Sequence, residues 1–87
     1  MKSQKLLDKL KDILDADRKA QLEKYKSLKK VLKQLRIEKK ALEKKLARAR
    51  DAEEHEEIAS KLKVISMQRK KGIKVLKELK EERKHDK

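Results

Sequence analysis

The sequence predicts an all-α protein, in which a long antiparallel helical hairpin follows a short N-terminal helix and dimerises into a helical bundle or coiled coil. Three observations support this fold. The chain of 87 residues has no Pro and one Gly, so the usual helix breakers are almost missing. Aliphatic residues recur at steps of three and four. Aromatic residues make up 1% of the chain and charged residues 52%, which favours a thin apolar seam over a wide core.

The first element is a short amphipathic helix over residues 1–16, with Ser3 as its candidate N-cap. Its apolar residues fall on one face: Leu6, Leu7, Leu10, Ile13 and Leu14. Asp15 or Asp17 then ends this helix or caps the next one. A helix this short needs a docking surface, and an amphipathic stripe usually faces the protein's own core. We therefore expect it to pack on the hairpin, with a protein partner or a dimer contact as the alternative.

Two long helices follow, over 17–50 and 51–84, and residues 85–87 form a tail. The first carries a heptad-like seam with Lys39 as its one polar interruption: Tyr25, Leu28, Leu32, Leu35, Leu42, Leu46 and Ala49. The second carries a similar seam: Ile58, Leu62, Ile65, Leu76 and Leu79. Arg69 and Gly72 fall on seam positions of the second helix, and Ile73, which lies beside Gly72, is expected to take the place of Gly72 on the seam.

A reversal of the chain near Arg50 and Asp51 explains why the two seams are out of phase. The phase shift is two residues, whereas coiled-coil stutters and stammers shift it by four or three. Asp51 has the position of an N-cap and Glu54 stands three residues later, as in a capping box. One long bent helix is the alternative. In the hairpin, position 50 − n faces position 51 + n, and each arm is about 50 Å long.

Apolar residues beside the seam widen the stripe beyond what one helix covers. They are Val31, Val64 and Val75. We therefore expect either that the N-terminal helix folds back as a third element or that two hairpins form a four-helix bundle. Ile37 and Met67 fall on outward faces, where they mark an oligomer contact or indicate that the true faces are slightly rotated.

The net charge of +13 is concentrated in the middle of the hairpin. Residues 18–50 carry +11 and residues 58–77 carry +7, while residues 51–57 carry −5. High charge with few aromatics is also typical of disorder or of an isolated charged helix, but random charged tails lack the regular Leu spacing. Dense like charge destabilises a fold unless counterions or a polyanion offset it.

A row of lysines on the outer sides of the two helices is the candidate polyanion-binding site: Lys26, Lys30, Lys33, Lys40, Lys63, Lys70, Lys74 and Lys77. We expect sequence-independent contacts with nucleic acid phosphates. Duplex or structured RNA fits better than a single strand, because base stacking needs aromatics and Tyr25 is the only one. The alternative is a protein–protein adaptor that uses the Leu/Ile stripe, with the charge serving solubility alone.

The sequence contains no residue set that predicts catalysis, a cofactor or a metal. There is no Cys and no Gly-rich phosphate loop, and the few Ser and His residues form no nucleophile–base pair. Asp51 and His55 lie four residues apart, but no third ligand is evident, so an exposed His is the expected interpretation. Met1 precedes a charged segment without the apolar region of a secretory signal, and no apolar run could span a membrane. We therefore expect a non-enzymatic cytoplasmic protein.

Overall fold

The computed structural model describes residues 2–85, with side chains from 4 to 83, and over this range the protein is all-α as predicted. Helix α1 spans Lys2–Asp15 and a short helix α2 spans Arg18–Glu23. Two long helices follow, α3 over Tyr25–Arg48 and α4 over Ala52–His85. The chain runs up, down and up again, and the resulting bundle measures 53 × 18 × 16 Å.

The chain reverses at residues 49–51, so the alternative of one long bent helix is wrong. The side chain of Asp51 accepts a hydrogen bond of 3.1 Å from the backbone N–H of Glu53, which makes Asp51 the N-cap of α4. The backbone carbonyl of Asp51 accepts from the N–H of His55 at 2.9 Å. No described residue has a positive φ, so this turn forms without glycine.

The two arms pack in the antiparallel register that the sequence predicts. The rule that 50 − n faces 51 + n pairs position 32 with position 69. In the structure the Nε of Arg69 donates a hydrogen bond of 3.4 Å to the carbonyl of Leu32. Near the open end, Arg18 pairs with Glu78 at 3.2 Å and with Glu82 at 3.3 Å, so the two arms are still side by side there.

Helix α1 folds back onto the hairpin and completes a three-helix bundle around one core. The core residues are Leu6, Leu10, Ile13, Tyr25, Leu28, Val31, Leu32, Leu35, Ile65 and Leu79. Val31, one of the apolar residues beside the seam, is thereby buried. The wide apolar stripe could be covered by the N-terminal helix or by a second hairpin. Within the single chain, the N-terminal helix folds back onto it.

Several element boundaries differ from the sequence prediction. The predicted helix 17–50 is interrupted at Lys24, whose N–H is shared between the carbonyls of Ala20 and Gln21 and ends α2 in a tight turn. Helix α1 begins at Lys2, so Ser3 lies inside the helix and is not its N-cap. Helix α4 continues to His85, and the rest of the predicted tail lies outside the described residues.

Three helices come close together at Gly72. A Cβ atom at this position would lie 2.7 Å from Leu32 Cδ2 and 3.1 Å from Leu10 Cδ1. The prediction that Ile73 takes the place of Gly72 is therefore wrong. The space is filled by leucines of α3 and α1, whereas Ile73 is half-buried at the edge of the core.

Candidate polyanion-binding face

The hairpin has two broad sides, and α1 covers only one of them. Val31 marks the side of α3 that faces α1, since it lines the groove between these helices together with Leu6 and Ile13. Gly72 marks the corresponding side of α4, because its nearest neighbours include Leu10 of α1. We call the opposite side, which α1 leaves open, the far face.

Helix α4 contributes four predicted site lysines to the far face. Successive residues are rotated by about 100°, which places these lysines about 140–180° away from Gly72 around the helix. They are Lys63, Lys70, Lys74 and Lys77, and all four are exposed. A shallow surface depression is lined by Lys70, Lys71, Ile73, Lys74 and Lys77. The structure thus gathers several cationic side chains around one half-buried isoleucine.

Helix α3 contributes three of its four predicted site lysines to the far face. Lys26, Lys33 and Lys40 are exposed and lie about 140–180° away from Val31 around the helix. Lys30 does not join them. It lines the groove between α1 and α3 together with Lys24 and Asp12, so an acidic side chain of α1 lies in the same groove.

The far face has no acidic residue in its central part. Residues 24–37 of α3 carry six bases and no acid, and residues 58–77 of α4 carry seven bases and no acid. Within the described part of the chain, none of the predicted site lysines forms an ion pair. The acids Glu78 and Glu82 lie beyond this region and pair with Arg18 at 3.2 and 3.3 Å. Over these two ranges, the positive potential of the far face is therefore not offset by acidic residues of its own helices.

The only aromatic side chain is not available for base stacking. Tyr25 is 8% exposed and belongs to the core. The Arg83 guanidinium covers its ring at 4.2 Å from the ring centroid, and the Lys29 ammonium lies 5.8 Å from it. Contacts of the far face with nucleic acid would therefore rely on charge and not on stacking.

Three exposed basic residues of the far face were missed by the sequence prediction: Lys29, Arg36 and Lys71. Lys29 and Arg36 lie about 140–160° away from Val31 around α3, on the same side as Lys33. Lys71 lines the same depression as Lys70. The contiguous basic run at 69–71 was a signal for Lys71, whereas Lys29 and Arg36 become recognisable only once the direction of α1 is known.

The residues predicted to pack the helices lie on the inner sides of the hairpin. Leu28, Leu32, Leu35, Ile58, Ile65 and Leu79 are buried, while Leu42, Leu46, Leu62 and Leu76 are half-buried. Three of the half-buried residues, Leu42, Leu46 and Leu62, lie towards the turn, whereas Leu76 is half-buried near the open end. The seam is thus mostly buried in the part that α1 covers and more accessible towards the turn.

Other candidate features acquire no ligand geometry in the structure. His55 is exposed in the first turns of α4. In the part of the chain that the structure describes, no three His, Asp or Glu side chains are grouped so that they could hold a metal ion. None of the four helices, over the described residues, combines the length and apolarity needed to cross a bilayer.

Comparison with known proteins adds no further assignment. No protein-family model, curated protein or solved structure matches this chain.

Proposed function

We propose that this protein is a small, non-enzymatic binding module of the cytoplasm that contacts nucleic acid without sequence preference. The observation that supports it is the far face: two adjacent helices expose bases over residues 24–37 and 58–77 without one acid. A solvated face that served solubility alone would require no such segregation, because interspersed charges of both signs keep a protein soluble.

Binding would be driven by the phosphate backbone. Each lysine that neutralises a phosphate releases condensed counterions, so the affinity falls steeply as salt is added. Association with a polyanion would also relieve the repulsion among the lysines of the far face. Because the side chains are long and no base-reading geometry is present, the contacts would not distinguish one sequence from another.

The alternative of a protein–protein adaptor is less well supported by the packing. An adaptor would present the Leu/Ile stripe to a partner helix, but in the structure the stripe is largely occupied. Leu28, Leu35 and Leu79 are each 0% exposed in the protein's own core. A partner could reach this part of the stripe only by displacing helices of the bundle.

The test is a triple variant in which Lys70, Lys74 and Lys77 are each replaced by Gln. Gln keeps the helix propensity close to that of Lys, so circular dichroism should be unchanged. We expect the affinity for a nucleic acid probe at about 50 mM salt to fall by roughly tenfold or more, because up to three phosphate contacts are lost. Fluorescence anisotropy of a labelled oligonucleotide measures this change.

The matched control replaces Lys5, Lys9 and Lys11 by Gln. All three are exposed on α1, which lies on the opposite side of the hairpin, and the net charge falls by the same amount. The control should bind nearly as well as the parent protein. Equal losses in both triple variants would show that total charge, and not the far face, determines binding, and no binding by the parent protein would refute the proposal.

The proposal includes self-association through the turn end of the hairpin, which is a different surface from the far face. Helix α1 has 14 residues, about 21 Å, and covers less than half of the hairpin. Val64, at the level of the first residues of α1, is 47% exposed, and towards the turn Leu42 and Leu46 remain half-buried. A second copy packed here would form the dimeric bundle expected from the wide stripe.

Light scattering on the parent protein and on Val64→Glu tests this dimer. We expect a dimer mass for the parent and a monomer mass for the variant, whose exposed position should leave the fold intact. A monomer mass for the parent protein at micromolar concentration would contradict self-association. Leu10→Glu is unsuitable for this purpose, since Leu10 is 0% exposed and its replacement would disrupt the core itself.

A further inference from the structure

Six lysines of the far face share a regular arrangement. On α3 they lie seven residues apart, at Lys26, Lys33 and Lys40, and on α4 they also lie seven residues apart, at Lys63, Lys70 and Lys77. Seven residues are nearly two helical turns, so each set forms a row along its helix. Each row contains one exposed cation about every 10.5 Å.

The antiparallel register brings the two rows side by side. Position 33 lies within two residues of the level of position 70, given that Leu32 contacts Arg69. The same offset relates Lys26 to Lys77 and Lys40 to Lys63. The six side chains therefore form three cross-pairs, which we call the lysine ladder. Its length is about 21 Å, from the first cross-pair to the third.

The width of the ladder exceeds the separation of the helices. Packed helices have axes about 8–10 Å apart, and these lysines project from the outer sides of α3 and α4. We therefore expect the two rows of ammonium groups to be farther apart than the minor-groove width of about 6 Å and to reach the scale of the major groove, about 12 Å. This spacing suits two phosphate strands that border a groove.

The support beneath the ladder is rigid and offers no site for unstacked bases. Both helices are fixed by the shared core, and Arg69 is held by the carbonyl of Leu32 between the rows. Tyr25 is buried and covered by Arg83, so the ladder has no exposed aromatic side chain beside it. The helices space the lysines regularly although each side chain is flexible, and a duplex offers regularly spaced phosphates where a single strand does not.

We propose that the lysine ladder selects double-stranded over single-stranded nucleic acid, with its two rows on the two phosphate strands that border one groove. This inference rests on the proposed function and specifies its substrate class. At about 3.4 Å per base pair, a ladder of about 21 Å covers roughly six base pairs. The protein recognises the spacing of the two strands and not the sequence of the bases.

The experiment measures binding of the full-length protein to a 12-base-pair DNA duplex and to each of its two separated strands. Fluorescence anisotropy is recorded over a series of salt concentrations, and log K is plotted against log salt. With six phosphates contacted on the duplex, we expect a slope of about −5. With one row engaged on a single strand, we expect a slope of about −2 and a weaker complex at every salt concentration.

The outcomes separate this inference from the proposed function. Tighter binding to the duplex with the steeper slope supports the ladder. Equal or tighter binding to the single strands overturns the ladder and leaves the proposed nucleic acid binding intact. Failure to bind any of the three probes at about 50 mM salt overturns both.

Removal of one cross-pair provides a second readout. The variant Lys33→Gln, Lys70→Gln should reduce the slope for the duplex by about two, because it removes one phosphate contact on each strand. The matched control Lys5→Gln, Lys11→Gln has the same net charge and should keep the parent slope. A control that loses as much slope as the ladder variant would show that the ladder has no specific role.

Discussion

At the scale of single residues, Gly72 shows a conflict between helix propensity and close packing. Glycine inside a helix costs about 1 kcal/mol relative to alanine, and Gly72 lies in the interior of the longest helix. The cost is offset because α1 and α3 approach α4 closely at this point. Leu10 is 0% exposed and Leu32 is 4% exposed, so neither side chain has free space into which it could move.

We expect Gly72→Ala to destabilise the protein by about 1 kcal/mol. The new methyl group would meet Leu32 Cδ2 at 2.7 Å, and overpacking of this kind costs about 1–3 kcal/mol, more than the gain in helix propensity. Urea denaturation followed by circular dichroism measures the change. The same substitution in a Leu32→Ala background should be stabilising, because the clash is removed. A stabilised single variant would show that Leu32 rotates away at little cost.

Gln21 is the second residue whose role depends on its partners. It is 7% exposed and is the one buried polar side chain in the described part of the chain. Its Nε2 donates hydrogen bonds to the carbonyl of Ile13 at 3.1 Å and to the carbonyl of Leu14 at 3.3 Å. These carbonyls lie in the last turn of α1, where the carbonyl of Ile13 also accepts from the backbone N–H of Ala16 at 3.2 Å. Gln21 therefore caps the C-terminus of α1 from the next helix.

Replacement of Gln21 by Leu should reduce the free energy of unfolding by about 1–2 kcal/mol, because two hydrogen bonds are lost. The volume is kept, but the carbonyl of Ile13 loses one of its two donors and the part-buried carbonyl of Leu14 loses the Gln21 donor. Gln34→Leu is the control, since Gln34 is exposed on α3 and should change stability by less than about 0.5 kcal/mol. Comparable losses in both variants, measured by denaturant titration, would contradict the capping role of Gln21.

At the scale of helices, the start of α4 shows how charge placement defines a boundary. Asp51 caps the helix, and Glu53 and Glu54 occupy its first turn, where the helix dipole favours negative charge. Lys45 and Arg48 occupy the last turn of α3, where positive charge is favoured. Both helix ends therefore stabilise the same turn without glycine or proline.

We expect Asp51→Ala to cost about 1 kcal/mol, because the N–H of Glu53 loses its side-chain acceptor. Asp51→Asn keeps an oxygen acceptor and should cost much less. Thermal unfolding monitored by circular dichroism compares the two variants. Equal effects of Asn and Ala would mean that the charge of Asp51, and not its hydrogen bond, stabilises this end of α4.

At the scale of the whole molecule, the surface is divided between a neutral side and a basic side. Helix α1 lies within residues 1–17, which contain equal numbers of basic and acidic residues. It covers one side of the hairpin. The far face retains the positive charge, and its lysines repel one another. The exposed ion pairs of Arg18 with Glu78 and Glu82 offset little of this repulsion, since surface ion pairs contribute about 0–1 kcal/mol to stability.

We therefore expect the free protein to become more stable as NaCl is raised from about 10 mM to about 1 M, because the Debye length falls from about 30 Å to about 3 Å. The midpoint of thermal unfolding measures this effect. The increase should be smaller in the variant with Lys70, Lys74 and Lys77 replaced by Gln. A midpoint that falls with salt would show that repulsion on the far face is not a significant cost to the fold.

Helix type, the position of the turn and the hairpin register could all be predicted from local patterns. The Leu spacing gives the helical period, and the phase shift together with Asp51 gives the reversal, since both depend on neighbours in the chain. The break at Lys24 had no such signal, because no Gly or Pro marks it. Lys30 was misplaced for a different reason: its direction relative to the far face depends on where α1 docks.

Long basic helices, one apolar stripe and a reversal near Asp51 follow from local patterns of residues, because periodicity and capping act over a few positions. The side of the hairpin that α1 covers follows from packing alone, since it depends on how Leu10, Leu32 and Gly72 fit together. The docking of α1 separates the far face from the covered side. The packing of α3 against α4 brings the lysines of these two helices side by side. A binding surface built from two helices is a property of their packing, which no single segment of the sequence contains.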